Sequence, residues 1–230
     1  MHDIFIEYAQ NTQETPCIEK DNNTYMCLQE GKKVEIQKLT YRLGGGAANS
    51  ATSFALLGFN TYIASKTGTD RERDFTVSAL TTSNVDTSFL KMSKNEPTGT
   101  ALIIPCPSGN NAILVHRGAN LTLNESDLPL KQLGNFDIVH ITSLSGTTSQ
   151  LLPIITQEAK KHGIFVSTNP GSSQLTLNVQ TLKDSLKNID VLICNQFEAQ
   201  LLLKHFDPSA SFDEKIAILW HVLLDTTNLN

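Results

Sequence analysis

Residues Gly44 to Gly58 read GGGAANSATSFALLG, and this stretch decides the fold. Three consecutive glycines lead directly into an Ala-rich segment, and glycine lets a main chain adopt positive φ and approach a ligand closely. The segment that follows predicts a helix, whose first N–H groups have no partner within the helix. Small residues at helical spacing, such as Ala47, Ala51 and Ala55, predict tight packing of this helix against a sheet.

A glycine triplet before a helix also occurs in ordinary strand-to-helix turns, so the triplet alone is compatible with a turn that contacts no ligand. It fits the dinucleotide-binding fingerprint poorly. GGGAAN lacks the third glycine of that fingerprint, and the preceding stretch, Val34 to Leu43, carries charged residues that are atypical of a buried parallel strand. A dehydrogenase with a dinucleotide fold is therefore disfavoured.

Two further stretches accompany the glycine run. Thr98 to Leu121 reads TGTALIIPCPSGNNAILVHRGANL, and Asn195 to Glu198 reads NQFE. In this order and at this spacing, the three stretches resemble the signatures of the ribokinase-like (PfkB-type) carbohydrate kinase family, over residues 1 to about 206. The resemblance implies an α/β fold of three layers, with a mainly parallel sheet, helices on both faces and a small β lid.

Length and charge limit the class of protein. The chain has 230 residues, 40% of them hydrophobic, which is enough for a sizeable core, and we expect one domain over residues 1–230 with lid segments at about 12–43 and 97–118. The formal net charge of -5 and the pI near 5.6 argue against binding to nucleic acid or to an anionic membrane surface.

The four cysteines show neither a metal-ligand spacing nor a disulfide pattern, so we expect reduced thiols in a cytoplasmic protein. There is no apolar stretch long enough to span a membrane, and the first residues, MHDIFIEY, lack the pattern of a secretory signal.

Short apolar runs alternate with longer amphipathic stretches from Ile138 onward, which is typical of βαβ units and a parallel sheet. The predicted elements are strand Ile138–Ile141, helix Ser149–His162, strand Ile164–Thr168, helix Leu175–Lys187, strand Val191–Cys194 and helix Glu198–Phe206. A further helical pattern runs from Phe212 to Leu224.

Two stretches predict antiparallel hairpins instead. Thr24 to Leu43 contains a turn signal at Glu30-Gly31, and Thr98 to His116 contains one at Ser108 to Asn111. In the resembled family, insertions at these positions pair into the lid that closes over the sugar, and the resemblance also implies that two copies could dimerise through it.

The resemblance implies an acceptor site built from Asp3, Gly44, Gly45 and Asn49. Asp3 matches the aspartate that hydrogen-bonds two sugar hydroxyls, a task that suits a carboxylate because it accepts several charge-assisted hydrogen bonds. On general grounds Asp3 would be a solvated terminal acid and Asn49 a local cap. The resemblance favours ligand contact for both.

Asn195 and Glu198 directly follow an apolar strand, at the edge of the sheet where α/β proteins bind ligands. By themselves they would form a helix cap and a first-turn acid. The resemblance implies a role near the phosphates of Mg-ATP, with Glu198 contacting Mg²⁺ through water. Asn169-Pro170-Gly171 is another strand-end turn, and His140, on an apolar strand, is interpreted as a hydrogen-bonded core histidine rather than a base.

The Gly-Ala-Gly-Asp motif that supplies the family's anion hole and catalytic aspartate does not occur in these 230 residues. We therefore expect a chain truncated at the C-terminus, with no catalytic residue of its own. The match of Asp3 to the family's aspartate, so near the start of the sequence, implies that the family's first strand is lacking as well. The hypothesis is a sugar or nucleoside kinase, ATP-dependent by family and impaired in phosphoryl transfer. The alternative is a non-catalytic remnant that binds a sugar or a nucleoside.

Overall fold

The structure, a computed structural model, describes residues 1–8, 17–21, 23–106 and 111–204. The chain divides into two compact units, Met1–Asn120 and Leu121–Asn230. The expectation of one domain stays a prediction, and the helix expected at Phe212 to Leu224 lies outside the described residues, as does most of the turn at Ser108 to Asn111.

The first unit contains ten strands and two helices among its described residues. They are β1 (His2–Tyr8), β2 (Cys17–Lys20), β3 (Asn23–Met26), β4 (Ile36–Leu43), α1 (Gly46–Leu56), β5 (Thr61–Tyr62), β6 (Ser65–Thr67), α2 (Arg71–Thr82), β7 (Val85–Asp86), β8 (Leu90–Met92), β9 (Thr100–Pro105) and β10 (Asn111–His116).

The largest sheet of this unit has the order β10-β9-β1-β4. Strand β1 runs parallel to β9 and antiparallel to β4, so the first strand of the chain lies inside the sheet. Its register pairs Asp3 with Arg42 and Phe5 with Thr40. Because side chains alternate between the faces of a strand, these four side chains share one face.

The two predicted hairpins have different outcomes. Strands β9 and β10 form the expected antiparallel hairpin. The prediction of a hairpin within Thr24 to Leu43 is wrong, because β3 pairs with β2 while β4 pairs with β1. The turn at Gly31 exists, with φ of 75°. The long pairing with β1 satisfies the backbone groups of β4 instead, and such a distant partner cannot be read from local turn residues.

Helix α1 confirms the helix predicted after the glycine run. It packs with α2 and the short parallel pairs around a small core of Ala48, Ala51, Ile63, Leu80 and Val85. Of the predicted small-residue face, Ala51 is buried and Ala47 and Ala55 are partly buried against this core, and Ala48 is buried as well.

A polar cluster connects the start of α2 to the segment before β9. Asp70 is the N-cap of α2, and its carboxylate accepts hydrogen bonds from the Thr98 hydroxyl at 2.6 Å, the Thr98 N–H at 2.6 Å and the Arg73 N–H at 3.1 Å. The Thr98 hydroxyl in turn accepts from the Gly68 N–H at 3.0 Å. Partial burial alone would raise the pKa of Asp70, but these hydrogen bonds together hold that pKa below its usual value.

The second unit begins with three short 3-10 segments and continues as alternating strands and helices. Its main elements are β11 (Ile138–Ile141), α3 (Leu151–Lys161), β12 (Phe165–Thr168), α4 (Ser172–Leu175), α5 (Val179–Leu186), β13 (Val191–Leu192) and α6 (Gln196–Leu203). A further 3-10 segment, Gly146–Gln150, leads into α3.

These strands form a parallel sheet of order β11-β12-β13, which confirms the βαβ prediction. The predicted helix at Leu175–Lys187 corresponds to α5, which begins four residues later, and the short helix α4 before it was not predicted; the remaining helices and strands agree within a few residues. Val166 of β12, Leu152 of α3, Leu182 of α5 and Leu202 of α6 are almost fully buried in one core. Among the described residues, no helix is both long and apolar enough to cross a membrane.

We predict that Thr98→Val lowers the free energy of unfolding by about 2 kcal/mol, because valine keeps the shape but leaves the Gly68 N–H without its acceptor and removes one of the three hydrogen bonds to the Asp70 carboxylate. Thr98 is only 2% exposed, so water cannot replace the hydroxyl. Urea denaturation measures the change.

The matched control is Thr81→Val on the exposed side of α2, where the hydroxyl bonds only to the Val77 carbonyl of its own helix, at 2.8 Å. We expect a change within about 0.5 kcal/mol there. Equal effects of the two substitutions would contradict a specific role for the Asp70 cluster.

Candidate acceptor and nucleotide site

Asp3 and Gly44 are in direct contact. The Asp3 carboxylate occupies the space that a side chain at position 44 would fill, so only glycine fits at that position. The Gly44 N–H donates to the Met1 carbonyl at 3.0 Å, which holds the start of β1 against the end of β4. The structure therefore brings Asp3 and the glycine run together, and their role as an acceptor site stays a prediction.

Gly45 forms the entry to α1. Its φ of 90° favours glycine, and it is the N-cap of the helix without any side-chain hydrogen bond to the first turn. No acidic residue lies in that first turn. The first N–H groups of α1 are thus left without a capping side chain, and such groups can donate to a ligand oxygen.

Asn49 lies one turn into α1 and is exposed. Its backbone N–H donates to the Gly45 carbonyl at 3.0 Å, an ordinary helical bond. Because Gly45 is the N-cap, Asn49 does not cap the helix, and within the described ranges its carboxamide has no hydrogen-bond partner. A carboxamide in this position can both donate to and accept from a ligand hydroxyl.

The Asp3 carboxyl is partly desolvated. Burial raises its pKa above the usual value, and the charges of the N-terminal ammonium and of His2 oppose that rise only in part. Its buried Oδ1 has no hydrogen-bond partner in the described part of the chain. A buried acceptor without a partner is costly, so this atom fits a ligand hydroxyl.

Asn195 and Glu198 come together at the start of α6. The Glu198 N–H donates to Asn195 Oδ1 at 2.9 Å, and the Asn195 N–H donates to Glu198 Oε2 at 2.9 Å. The two residues therefore form a reciprocal capping box at the carboxyl end of the strand β13. Locally, this is the helix-cap interpretation that the sequence left open.

The capping box leaves Glu198 Oε1 outside the reciprocal bonds, and one such carboxylate oxygen suits a contact to Mg²⁺ through water. No group of three His, Cys, Asp or Glu side chains able to hold a metal directly occurs among the residues that the structure describes. The Glu198 Oε1 atom fits an ion that is held mainly by nucleotide phosphates and water. Cys194 directly precedes Asn195 in the sequence. Burial, and to a smaller extent the negative charge of Glu198, raises the pKa of the Cys194 thiol to about 11, so this thiol stays protonated.

His140 is a hydrogen-bonded histidine, as predicted. Its Nδ1 lies 2.8 Å from the Ser167 hydroxyl of the neighbouring strand, and burial lowers its pKa, which keeps the ring neutral at physiological pH. Asn169, in the strand-end turn, donates its side-chain N–H to the Ile193 carbonyl at 2.8 Å. This side chain therefore connects the ends of two strands.

Gln174 is a residue that the sequence analysis missed. It is fully buried, and its Oε1 accepts hydrogen bonds from the N–H groups of Leu144 and Gly171, both at 2.8 Å. It ties the loop after β11 to the turn after β12, at the carboxyl edge of the parallel sheet. The sequence did contain a signal for this role. Gln174 lies three residues after Gly171, and a glutamine three residues after an N-cap can accept a hydrogen bond from the N-cap N–H.

We predict that Asp3→Asn raises the melting temperature at pH 7 and leaves it nearly unchanged at pH 3. Because the folded pKa of Asp3 is raised, its stabilising effect is complete below its usual value of 3.8 and is lost as the pH rises through the folded pKa. Asparagine has no such titration. Thermal denaturation at both pH values measures the difference.

Asp86→Asn is a control in which the melting temperature at pH 7 should change in the opposite direction. Hydrogen bonds from Ser88 lower the pKa of Asp86, so its contribution is present above its usual value of 3.8 and is lost as the pH falls. This variant should melt below the wild type at pH 7. An Asp3→Asn variant that behaved in the same way would refute the desolvated state of Asp3.

A family described as pfkB family carbohydrate kinase matches residues 12–222. The chain is 29% identical to a ribokinase of Staphylococcus aureus over 177 residues, which are 76% of this chain and 56% of that protein. It is 30% identical to a ribokinase of Haemophilus influenzae over 178 residues, which are 75% of this chain and 55% of that protein.

Solved structures show the same fold. A structure of Arabidopsis thaliana ribokinase complexed with ribose and ATP superposes with a TM-score of 0.72 at 21% identity, covering 96% of this chain and 66% of that one. The ribokinase-like α/β fold expected from the sequence is thus confirmed. The chain spans about half the length of the curated relatives it matches, 56% in the first case. With a family match that covers most of its length, this chain belongs to the pfkB family of carbohydrate kinases.

Proposed function

We propose that the chain binds a sugar or a nucleoside at Asp3, Gly44, Gly45 and Asn49, as the acceptor of a ribokinase-like phosphoryl transfer. The observation that carries this proposal is the Asp3 carboxyl, which packs against Gly44 and keeps a buried oxygen without a partner. A carboxylate held in this state gains hydrogen bonds when sugar hydroxyls arrive. The kinases of the family to which the chain belongs give the proposal its acceptor class.

The proposed donor is Mg-ATP, near Asn195 and Glu198. The capping box holds both side chains in place at the end of β13, and the first-turn N–H groups of α6 favour a negatively charged ligand. Bound Mg²⁺ would neutralise charge on the phosphates during transfer, and Glu198 would accept hydrogen bonds from its waters.

We further propose that these 230 residues bind their acceptor without transferring phosphate by themselves. Transfer to a hydroxyl needs a base that accepts its proton and donors that stabilise the developing charge. The family's Gly-Ala-Gly-Asp motif, which supplies both, is not in this sequence. Binding without transfer is therefore the activity that its residues support best.

The proposed partner in solution is a second copy, joined through the lid. A row of apolar side chains crosses the sheet on the face opposite Asp3, from Leu114 through Leu102 and Ile4 to Tyr41. Leu114 is 61% exposed and Tyr41 53% exposed. Sedimentation of the purified chain tests this: a dimer that Tyr41→Glu converts to a monomer supports the lid contact, and a monomeric wild type contradicts it.

The test of acceptor binding is a thermal-shift titration of the purified chain with ribose, fructose, adenosine and Mg-ATP. A ligand that binds only the folded state adds about 2.7 kcal/mol of stability at a concentration of about 100 times its Kd. We expect stabilisation by at least one of the three acceptors. We expect Asp3→Asn to weaken that binding about 30-fold, since a hydrogen bond to a charged group contributes about 2 kcal/mol.

The matched control is Asp86→Asn, which removes an equal charge from the end of strand β7 in the same unit and should leave acceptor binding unchanged. Absence of a shift with every acceptor would refute the proposed site. Incubation with Mg-ATP and the bound acceptor, followed by detection of phosphorylated product, tests the second part, because turnover by this chain would show that transfer does not need the missing motif.

A further inference from the structure

The face of the sheet that carries Asp3 also contains an open pocket of about 340 Å³. All four strands contribute to its lining, with Phe5 from β1, Thr40 and Arg42 from β4, Ile103 from β9 and Asn111 from β10. This volume is at the lower end of the roughly 300–1,000 Å³ of small-ligand sites. It has room for a monosaccharide with one substituent.

The pocket adjoins Asp3 through the register of the sheet. Asp3 pairs directly with Arg42, and the next pair on the same face is Phe5 with Thr40. Directly opposed residues of antiparallel strands have Cβ atoms about 4.5–5.5 Å apart. A ligand hydrogen-bonded to Asp3 is therefore within reach of the side chains of Arg42 and Thr40.

Arg42 supplies the net charge of the pocket. The other cation of its lining, Lys38, lies 3.6 Å from the Glu7 carboxylate, and these two charges offset each other. Arg42 has no ion-pair partner among the described residues. Asp3 lies opposite Arg42 in the register, but these two side chains do not form an ion pair.

Thr40 adds an unused polar atom. Its Oγ1 is buried and has no hydrogen-bond partner within the described ranges, like Oδ1 of Asp3 on the adjacent strand. Phe5 beside it is 37% exposed and offers an apolar surface. The face thus combines a hydroxyl acceptor, an unpaired guanidinium, an unpaired hydroxyl and an aromatic ring around one cavity.

We propose that the acceptor of this site is a phosphorylated sugar, whose hydroxyls bind Asp3 and whose phosphate binds the Arg42 guanidinium and the Thr40 hydroxyl. Arginine suits this role because its planar group donates two parallel hydrogen bonds to phosphate oxygens. The proposal rests on the proposed acceptor site and specifies its substrate class. A neutral sugar would leave the guanidinium and the threonine hydroxyl without partners.

The test measures the affinity of the whole chain for ribose, ribose 1-phosphate, ribose 5-phosphate and inorganic phosphate by isothermal titration calorimetry at low salt. We expect at least one sugar phosphate to bind about 10-fold or more tightly than ribose, because hydrogen bonds to charged groups are the stronger ones. Inorganic phosphate alone should bind more weakly than that sugar phosphate, since it lacks the hydroxyls for Asp3.

Arg42→Gln should bring the affinity for the sugar phosphate down to that for ribose and leave ribose binding unchanged. The matched control is Arg71→Gln, an equal loss of charge from an exposed position of α2 outside the pocket lining, which should leave both affinities unchanged. Melting temperatures of both variants equal to that of the wild type would confirm that each is folded.

Three results would overturn the proposal. One is a sugar phosphate that binds no more tightly than ribose, which refutes the phosphate contact while the acceptor site itself stands. Another is an equal loss with Arg42→Gln and Arg71→Gln, which indicates general attraction of anions. A chain that binds none of the sugars refutes the proposed acceptor site together with this inference.

Discussion

The contact between the Asp3 carboxylate and Gly44 is the constraint on which the rest of the first unit depends. It requires the start of β1 to lie beside the end of β4, and it excludes any side chain at position 44. The chain turns immediately afterwards into α1, whose uncapped first turn follows from the absence of side chains at the glycines. Strand pairing, helix entry and the desolvated carboxyl are thus consequences of one close approach.

The second unit positions its polar residues by a different principle. Its strands are parallel, so their carboxyl ends meet at one edge, and the side chains that follow them hydrogen-bond to backbone groups of the neighbouring strand ends and loops. Asn169 bonds to the end of β13, and Gln174 bonds to the loop after β11. Asn195 and Glu198 follow the last strand of this sheet and hold each other in position through their capping box.

Much of this arrangement could be predicted from local pattern. Helix α1 follows from the glycines and the spacing of the alanines, and the alternation after Ile138 predicted the parallel strands. The partner of β4 could not be predicted, because its backbone bonds go to β1, with β2 and β3 between them in the sequence, and turn residues carry no information on that choice. Gln174 was missed for a similar reason, since the groups that it satisfies come from loops that only folding brings together. Asp3 was singled out by family resemblance alone, because an acid near a chain end has no distinctive local pattern.

The position of β1 inside its sheet has a consequence for the order of folding. His2 pairs with Leu43 on one side and with Thr100 on the other, so β1 cannot complete its hydrogen bonds until β9 has been synthesised. Contacts that distant in sequence form slowly, since a long loop must close before any of them is gained. On the ribosome, the first strand of the chain therefore waits with one edge unpaired. A nascent chain of this protein is exposed to strand-to-strand aggregation until residues 100–105 emerge.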